Sequence, residues 1–113
     1  MITVRETPTF IQQAEKLLTP EELDDLLFAL SADPTAGDII KDTGGVRKLR
    51  FQAKSKGKRG GSRVIYFYFD DNVPLTALFI YGKNQQDDLS PETKKMVKNM
   101  AEQIKKKARQ TDE

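Results

Sequence analysis

Two nearly unbroken apolar and aromatic runs, Arg63 to Phe69 and Leu75 to Tyr81, do most to limit the folds open to this chain. Neither alternates as a strand with one wet face would, so each reads as a central strand covered on both sides. Asp70-Asp71-Asn72-Val73-Pro74 turns the chain between them. The segment before them does alternate: Leu49 and Phe51 fall on one face, Lys48 and Arg50 on the other. Antiparallel strands over 46–53, 62–70 and 75–82 therefore form a meander.

The rest of the sequence supplies helices. Thr7-Pro8 sets an N-cap hydroxyl before a proline at the first helical position, where the missing N–H costs nothing. Phe10, Ala14, Leu17 and Leu18 then recur at helical spacing. Thr19-Pro20-Glu21-Glu22 repeats the device, with Glu22 placed to close a capping box, and Leu23, Leu26, Leu27 and Leu30 make one apolar stripe. Asp33-Pro34 ends that helix, because a residue before proline is pushed out of the α region. Residues 35–45 read as a loop ending in Gly44-Gly45. Ser90-Pro91-Glu92 starts a last helix whose inner stripe is Met96, Val97, Met100, Ile104 and Ala108. The order is α-α-β-β-β-α, with a further candidate strand at Thr3–Glu6. The fold class expected is α+β: N-terminal helices on an antiparallel meander, followed by a C-terminal helix.

Composition narrows the chemistry. With 113 residues the chain is expected to form a single domain over 1–113, large enough for a core without staples. It has no Cys and no His, which removes disulfides, thiolate nucleophiles, the commonest general base and the commonest metal ligand. No cofactor or metal is expected. The longest apolar stretch, Leu75 to Tyr81, holds seven residues, against about 20 for a membrane span. The first residues lack the apolar core of a secretory signal, so the expected location is cytoplasmic, away from any membrane.

Charge is strongly polarised. Arg47 to Arg63 carries eight basic residues and no acidic one, whereas the whole chain sums to +2. Lys48 and Arg50 share a strand face, Arg63 enters from the next strand, and Lys54, Lys56, Lys58 and Arg59 crowd the hairpin tip. A lysine-guarded hairpin that blocks edge pairing is the plainer account of a basic cluster. Eight like charges without relief cost self-repulsion that solubility does not require, and this favours a polyanion platform. Five phosphate contacts to a single strand would give a log–log salt slope of roughly −3.5. Glu21, Glu22, Asp24, Asp25, Asp33, Asp38 and Asp42 precede the block; they form an ordinary solvated face or steer polyanion away from the wrong side. Gly57, Gly60 and Gly61 suit a hairpin turn, since no helix start follows at phosphate-loop spacing. Tyr66 to Phe69 are core rather than base-stacking residues, with a tyrosine hydroxyl at the surface.

Three blocks carry a resemblance: Gly44-Gly45-Val46-Arg47-Lys48-Leu49-Arg50, Gly57-Lys58-Arg59-Gly60-Gly61-Ser62-Arg63-Val64-Ile65-Tyr66, and Ile80-Tyr81-Gly82-Lys83-Asn84 with Asp88-Leu89-Ser90. In this order they resemble the HigB branch of the RelE/ParE toxin superfamily over roughly residues 37 to 100. The resemblance implies the toxin of a type II toxin–antitoxin pair, a metal-independent endoribonuclease that cuts mRNA in the ribosomal A site. It implies a HigA-like antitoxin with a helix-turn-helix domain, the 70S ribosome and mRNA as partners. Carried over by position, the catalytic residues fall on Lys48, Arg50 and Arg63, with RNA or ribosome contacts at Arg47, Lys54, Lys56, Lys58, Arg59 and Lys83. Lys48 suits a base or proton relay, and Arg63 a bidentate grip on phosphate oxygens. The chain departs from the RelE pattern at Asn84, where that pattern has an arginine, and lacks its tyrosine near Leu89–Ser90. Tyr81, Lys83 and Asp87 are the candidates for the leaving-group acid. Two other readings fit the same fold: a ParE-like inhibitor of DNA gyrase, and a non-catalytic RNA- or ribosome-binding module.

Overall fold

The computed structural model describes residues 1–52, 61–83 and 88–111. Its elements are β1 (Val4–Glu6), α1 (Pro8–Leu17), α2 (Pro20–Ala32), β2 (Asp38–Ile39), β3 (Val46–Phe51), β4 (Ser62–Phe67), β5 (Leu75–Gly82) and α3 (Pro91–Thr111). The fold is α+β, and the helix starts follow the local chemistry. Thr7 Oγ1 accepts from Phe10 N at 3.0 Å. Thr19 and Glu22 exchange both bonds of the capping box, at 2.7 and 3.2 Å. Ser90 Oγ accepts from Thr93 N at 3.1 Å.

The strands form one five-stranded sheet in the order β1-β5-β4-β3-β2. The expected meander β3-β4-β5 is its centre, antiparallel throughout, and β1 adds parallel to β5. The segment expected as a loop over 35–45 contains β2, a two-residue edge strand whose Asp38 pairs with Lys48. Its turn into β3 uses left-handed backbone at Asp42, Gly44 and Gly45, with φ of 65°, 74° and 110°. Thr43, fully buried, ties that turn: its hydroxyl donates to Ile40 O at 2.7 Å and accepts from Val46 N at 3.1 Å.

Both faces of the sheet are covered, as the two apolar runs require. Phe10, Ala14, Leu26 and Leu30 of α1 and α2 pack against Val64, Tyr66, Leu75, Ala77 and Ile80, with Leu49 and Phe51 at the margin. Val97 and Ala101 of α3 pack against Val46, Ile65, Phe67, Leu78 and Phe79. The inner stripe of α3 is rotated from the expected one: Ala101 is fully buried, whereas Met96 is 49% exposed. Ala101 lets the helix approach the sheet, while Met96 lies about 100° around the helix from Val97 and falls at the rim.

The aromatics expected as core divide: Tyr66 and Phe67 are buried, the Tyr68 hydroxyl is at the surface as expected, donating to Asp71 Oδ1 at 2.6 Å, and Phe69, beyond the end of β4, is exposed rather than core. The Tyr66 hydroxyl is buried, donating to Pro34 O and accepting from Gly37 N, each at 2.8 Å. Gly37 is needed there, because a Cβ would lie 2.9 Å from both Lys48 O and the Tyr66 hydroxyl. This clasp holds the 34–37 segment against β3 next to Lys48.

Candidate active site

The pleat decides which side chains meet. Val46, Ile65 and Phe67 face α3, so Lys48 and Arg50 on β3 and Arg63 on β4 share that face by alternation. Register completes the patch: Arg50 pairs with Arg63, and Arg63 with Tyr81 of β5, giving a row across three strands. Lys48 stands in the next row, opposite Ile65, about 7 Å along the strand from Arg50. Neighbouring strands lie about 4.8 Å apart, so three cations and a phenol occupy a patch near the size of one phosphodiester and its sugars.

Exposure divides their roles. Arg63 is only 9% exposed and Tyr81 3%, whereas Arg50 is exposed. A cation set into a buried central strand has a direction fixed by its packing. Lys48 has a side chain 21% exposed, and its Nζ lies 3.5 Å from Asp88 Oδ1, which is 87% exposed. Sequence reasoning missed Asp88; only the tertiary fold brings a residue forty positions downstream onto β3. Asp38, one of the acidic residues expected on a solvated face or a side that steers polyanion away, is exposed and lines a groove of about 480 Å³ together with Lys48, Arg50, Asp88, Leu89 and Lys94. The expected segregation of charge fails there, because β2 carries Asp38 into register with Lys48.

Other expected contacts are placed differently. Arg47 points to the opposite face, and its Nη1 donates to Gly37 O at 2.7 Å and Thr35 O at 3.3 Å. That guanidinium braces the 35–37 segment and stands apart from Lys48 and Arg50. Lys83 is exposed at the end of β5, where its backbone N–H donates to Gly61 O at 3.2 Å. Lys54, Lys56, Lys58, Arg59, Asn84 and Asp87 lie outside the described residues. Among the described residues no group of three or more acidic side chains could hold a metal ion, and no helix is long and apolar enough to cross a membrane.

A sequence model of the RelE toxin of the RelE/RelB toxin–antitoxin system matches residues 9–112. The chain belongs to the RelE toxin family. The solved structure of a doubly arginine-to-alanine mutant of the E. coli toxin RelE, in the free state, is similar to this RelE-family chain with a TM-score of 0.57 at 13% identity. That match covers 76% of this chain and 87% of the E. coli one, and it establishes a shared fold.

Proposed function

We propose that this RelE-family protein is a HigB-type toxin of a type II toxin–antitoxin pair, acting in the cytoplasm as a ribosome-dependent endoribonuclease on mRNA in the A site. The observation that carries the reading is the direct pairing of Arg50 with Arg63, with Lys48 one row away on the same face. Like charges directly opposite each other destabilise a sheet by about 0.2–1 kcal/mol. A protein that keeps such a pair where the sheet is otherwise well packed gains something other than stability from it, and charge on a transferring phosphate supplies the reason.

In the reaction the RNA 2′-oxygen attacks the adjacent phosphorus while the P–O5′ bond breaks, leaving a 2′,3′-cyclic phosphate and a 5′-hydroxyl. Lys48 is the base or relay through which the 2′ proton departs. Arg50 and Arg63 hold the non-bridging oxygens, on which charge accumulates. The 5′-oxygen leaves with a proton. Of the candidates for its donor, Tyr81 is the one whose row includes Arg63. The cognate partner is a HigA-like antitoxin with a helix-turn-helix domain.

Mapping mRNA 5′ ends after induction without the neighbouring antitoxin gene tests the reading. Cuts at codon-defined positions are expected from the wild type, and their loss from Lys48→Ala. Arg63→Lys, which keeps the charge and spares the buried strand, should lose most cutting because an ammonium lacks the bidentate fork. Growth arrest with DNA breaks and intact mRNA would overturn the proposal in favour of gyrase; arrest with neither DNA breaks nor mRNA cuts would leave only a binding module.

A further inference from the structure

The last helix carries a second basic surface that the scissile patch does not use. Residues 91–111 hold seven cations and two acids, Glu92 and Glu102. At about 100° per residue, Lys94, Lys95, Lys98, Lys105, Lys106 and Arg109 fall within an arc of roughly 120°, beside the buried line of Val97, Ala101 and Ala108. Capping accounts for part of this, since a helix C-terminus favours cations. It does not account for Lys94, Lys95 and Lys98, which sit in the first half of α3, outside the last turn where the macrodipole rewards positive charge. Lys105 has a structural role, with Nζ 3.7 Å from Glu102 Oε1 and 5.8 Å from the centre of the Phe67 ring. Lys95, Lys98, Lys106 and Arg109 are exposed.

The stripe also joins the candidate active site. Lys94 lines the same groove as Lys48 and Arg50, and from Lys94 to Arg109 the helix rises about 22 Å. A stacked single strand advances about 3.4 Å per phosphate, so that length accommodates roughly six nucleotides. We propose that the outer stripe of α3 is a phosphate track for the RNA strand that flanks the scissile nucleotide, entering by way of Lys94. The proposal rests on the ribonuclease reading, and it adds a binding surface that the chemistry at Lys48, Arg50 and Arg63 does not require.

The test uses the full-length protein and a non-cleavable single-stranded RNA of about twelve nucleotides, 2′-O-methylated throughout, with binding followed by anisotropy over a salt series. Lys95→Gln with Lys98→Gln removes two cations near the groove. Gln12→Glu with Lys16→Gln makes the same change in net charge on α1, across the sheet. Each lost phosphate contact should reduce the salt slope by about 0.7, so the α3 pair should lower it by about 1.4 and weaken binding about 25-fold at roughly 0.1 M salt. The α1 pair should leave the slope unchanged. Equal effects from both pairs, or no binding by the wild type at low salt, would overturn the track. The same series is run with a duplex RNA of equal length, and a loss confined to that duplex would also overturn the track, assigning the stripe to ribosomal helices instead. Absence of mRNA cuts in induced cells would bring down the ribonuclease reading alone, because binding of this probe needs no catalysis.

Discussion

Replacing Arg50 with glutamine should make the protein more stable while disabling it. Arg50 stands directly opposite Arg63 on the middle of the sheet, and like charges so placed cost about 0.2–1 kcal/mol. Arg50 is exposed, so solvent screens the repulsion and about 0.5 kcal/mol is a fair magnitude. For a chain of this length that is an increase in Tm of about 2–4 °C. The effect is electrostatic, so it must depend on salt. The Debye length falls from about 10 Å at 0.1 M to about 3 Å at 1 M, which should bring the gain below about 1 °C. Arg50→Lys keeps the charge and is the control.

Thermal unfolding followed by circular dichroism, for all three proteins at both salt concentrations, decides the matter. The glutamine variant should melt highest at low salt, with the three converging at high salt, and it should cut mRNA at least about 100-fold more slowly. A glutamine variant that melts no higher than wild type at low salt would refute the argument that Arg50 and Arg63 are held together at a cost. A gain in Tm that survives 1 M salt would show that packing, not charge, sets the difference.

Tyr66→Phe should cost about 1–3 kcal/mol in urea unfolding, because Gly37 N–H and Pro34 O both lose a buried partner. Burial pushes the Tyr66 hydroxyl above its usual value near 10. The unfolded chain therefore releases this proton first as pH rises, and stability present below about pH 10 is lost above it. The phenylalanine variant should show a shallower alkaline decline than wild type; parallel declines would count against the clasp. Gly37→Ala should destabilise by about 1–3 kcal/mol, since its Cβ would crowd Lys48 O and Tyr66 at 2.9 Å; unchanged urea midpoints would contradict this. Tyr81→Phe should slow cutting by about 100-fold with RNA binding unchanged, as expected for loss of a proton donor; wild-type turnover would return that role to Lys83 or Asp87.

Much of the frame could be read from residues alone, and the reasons are local. Thr7-Pro8, Thr19-Pro20 and Ser90-Pro91 fix three helix starts through side-chain bonds made within three residues. The continuous apolar runs of β4 and β5 demand cover on both faces, and the alternation of β3 sorts Lys48 and Arg50 from Leu49 and Phe51. What escaped reading depends on tertiary pairing. β2 has two residues, too few for any period to register; Thr3–Glu6 reads as a candidate strand and is one, but its parallel pairing with β5 has no signature in sequence. Hydrophobicity ranks Met96 above Ala101 for the inner stripe of α3, whereas a helix lying close against a sheet favours the smaller side chain. The Lys48–Asp88 contact and the entry of Asp38 into the groove arise from neighbours forty and ten residues away along the chain.

The same contrast bears on how a sheet could serve as the catalytic surface proposed above. An arginine on a loop would have to be ordered each time it met a phosphate, and that ordering would be subtracted from transition-state stabilisation. Arg63 avoids this by sitting in β4, every residue of which is buried, between Arg50 and Tyr81 and with Ile65 next on its face. The apolar residues that hold it, Val64 and Ile65, are fully buried and belong to the cores on opposite sides of the sheet. On the proposed ribonuclease reading, position and polarity are thereby set before RNA arrives. It follows that Ile65→Ala, two residues from Arg63 and in contact with no substrate, should lower kcat beyond what its loss of stability explains. The folded fraction, measured by circular dichroism at the assay temperature, separates the two effects. A rate that tracks that fraction alone would mean that Arg63 needs no such support.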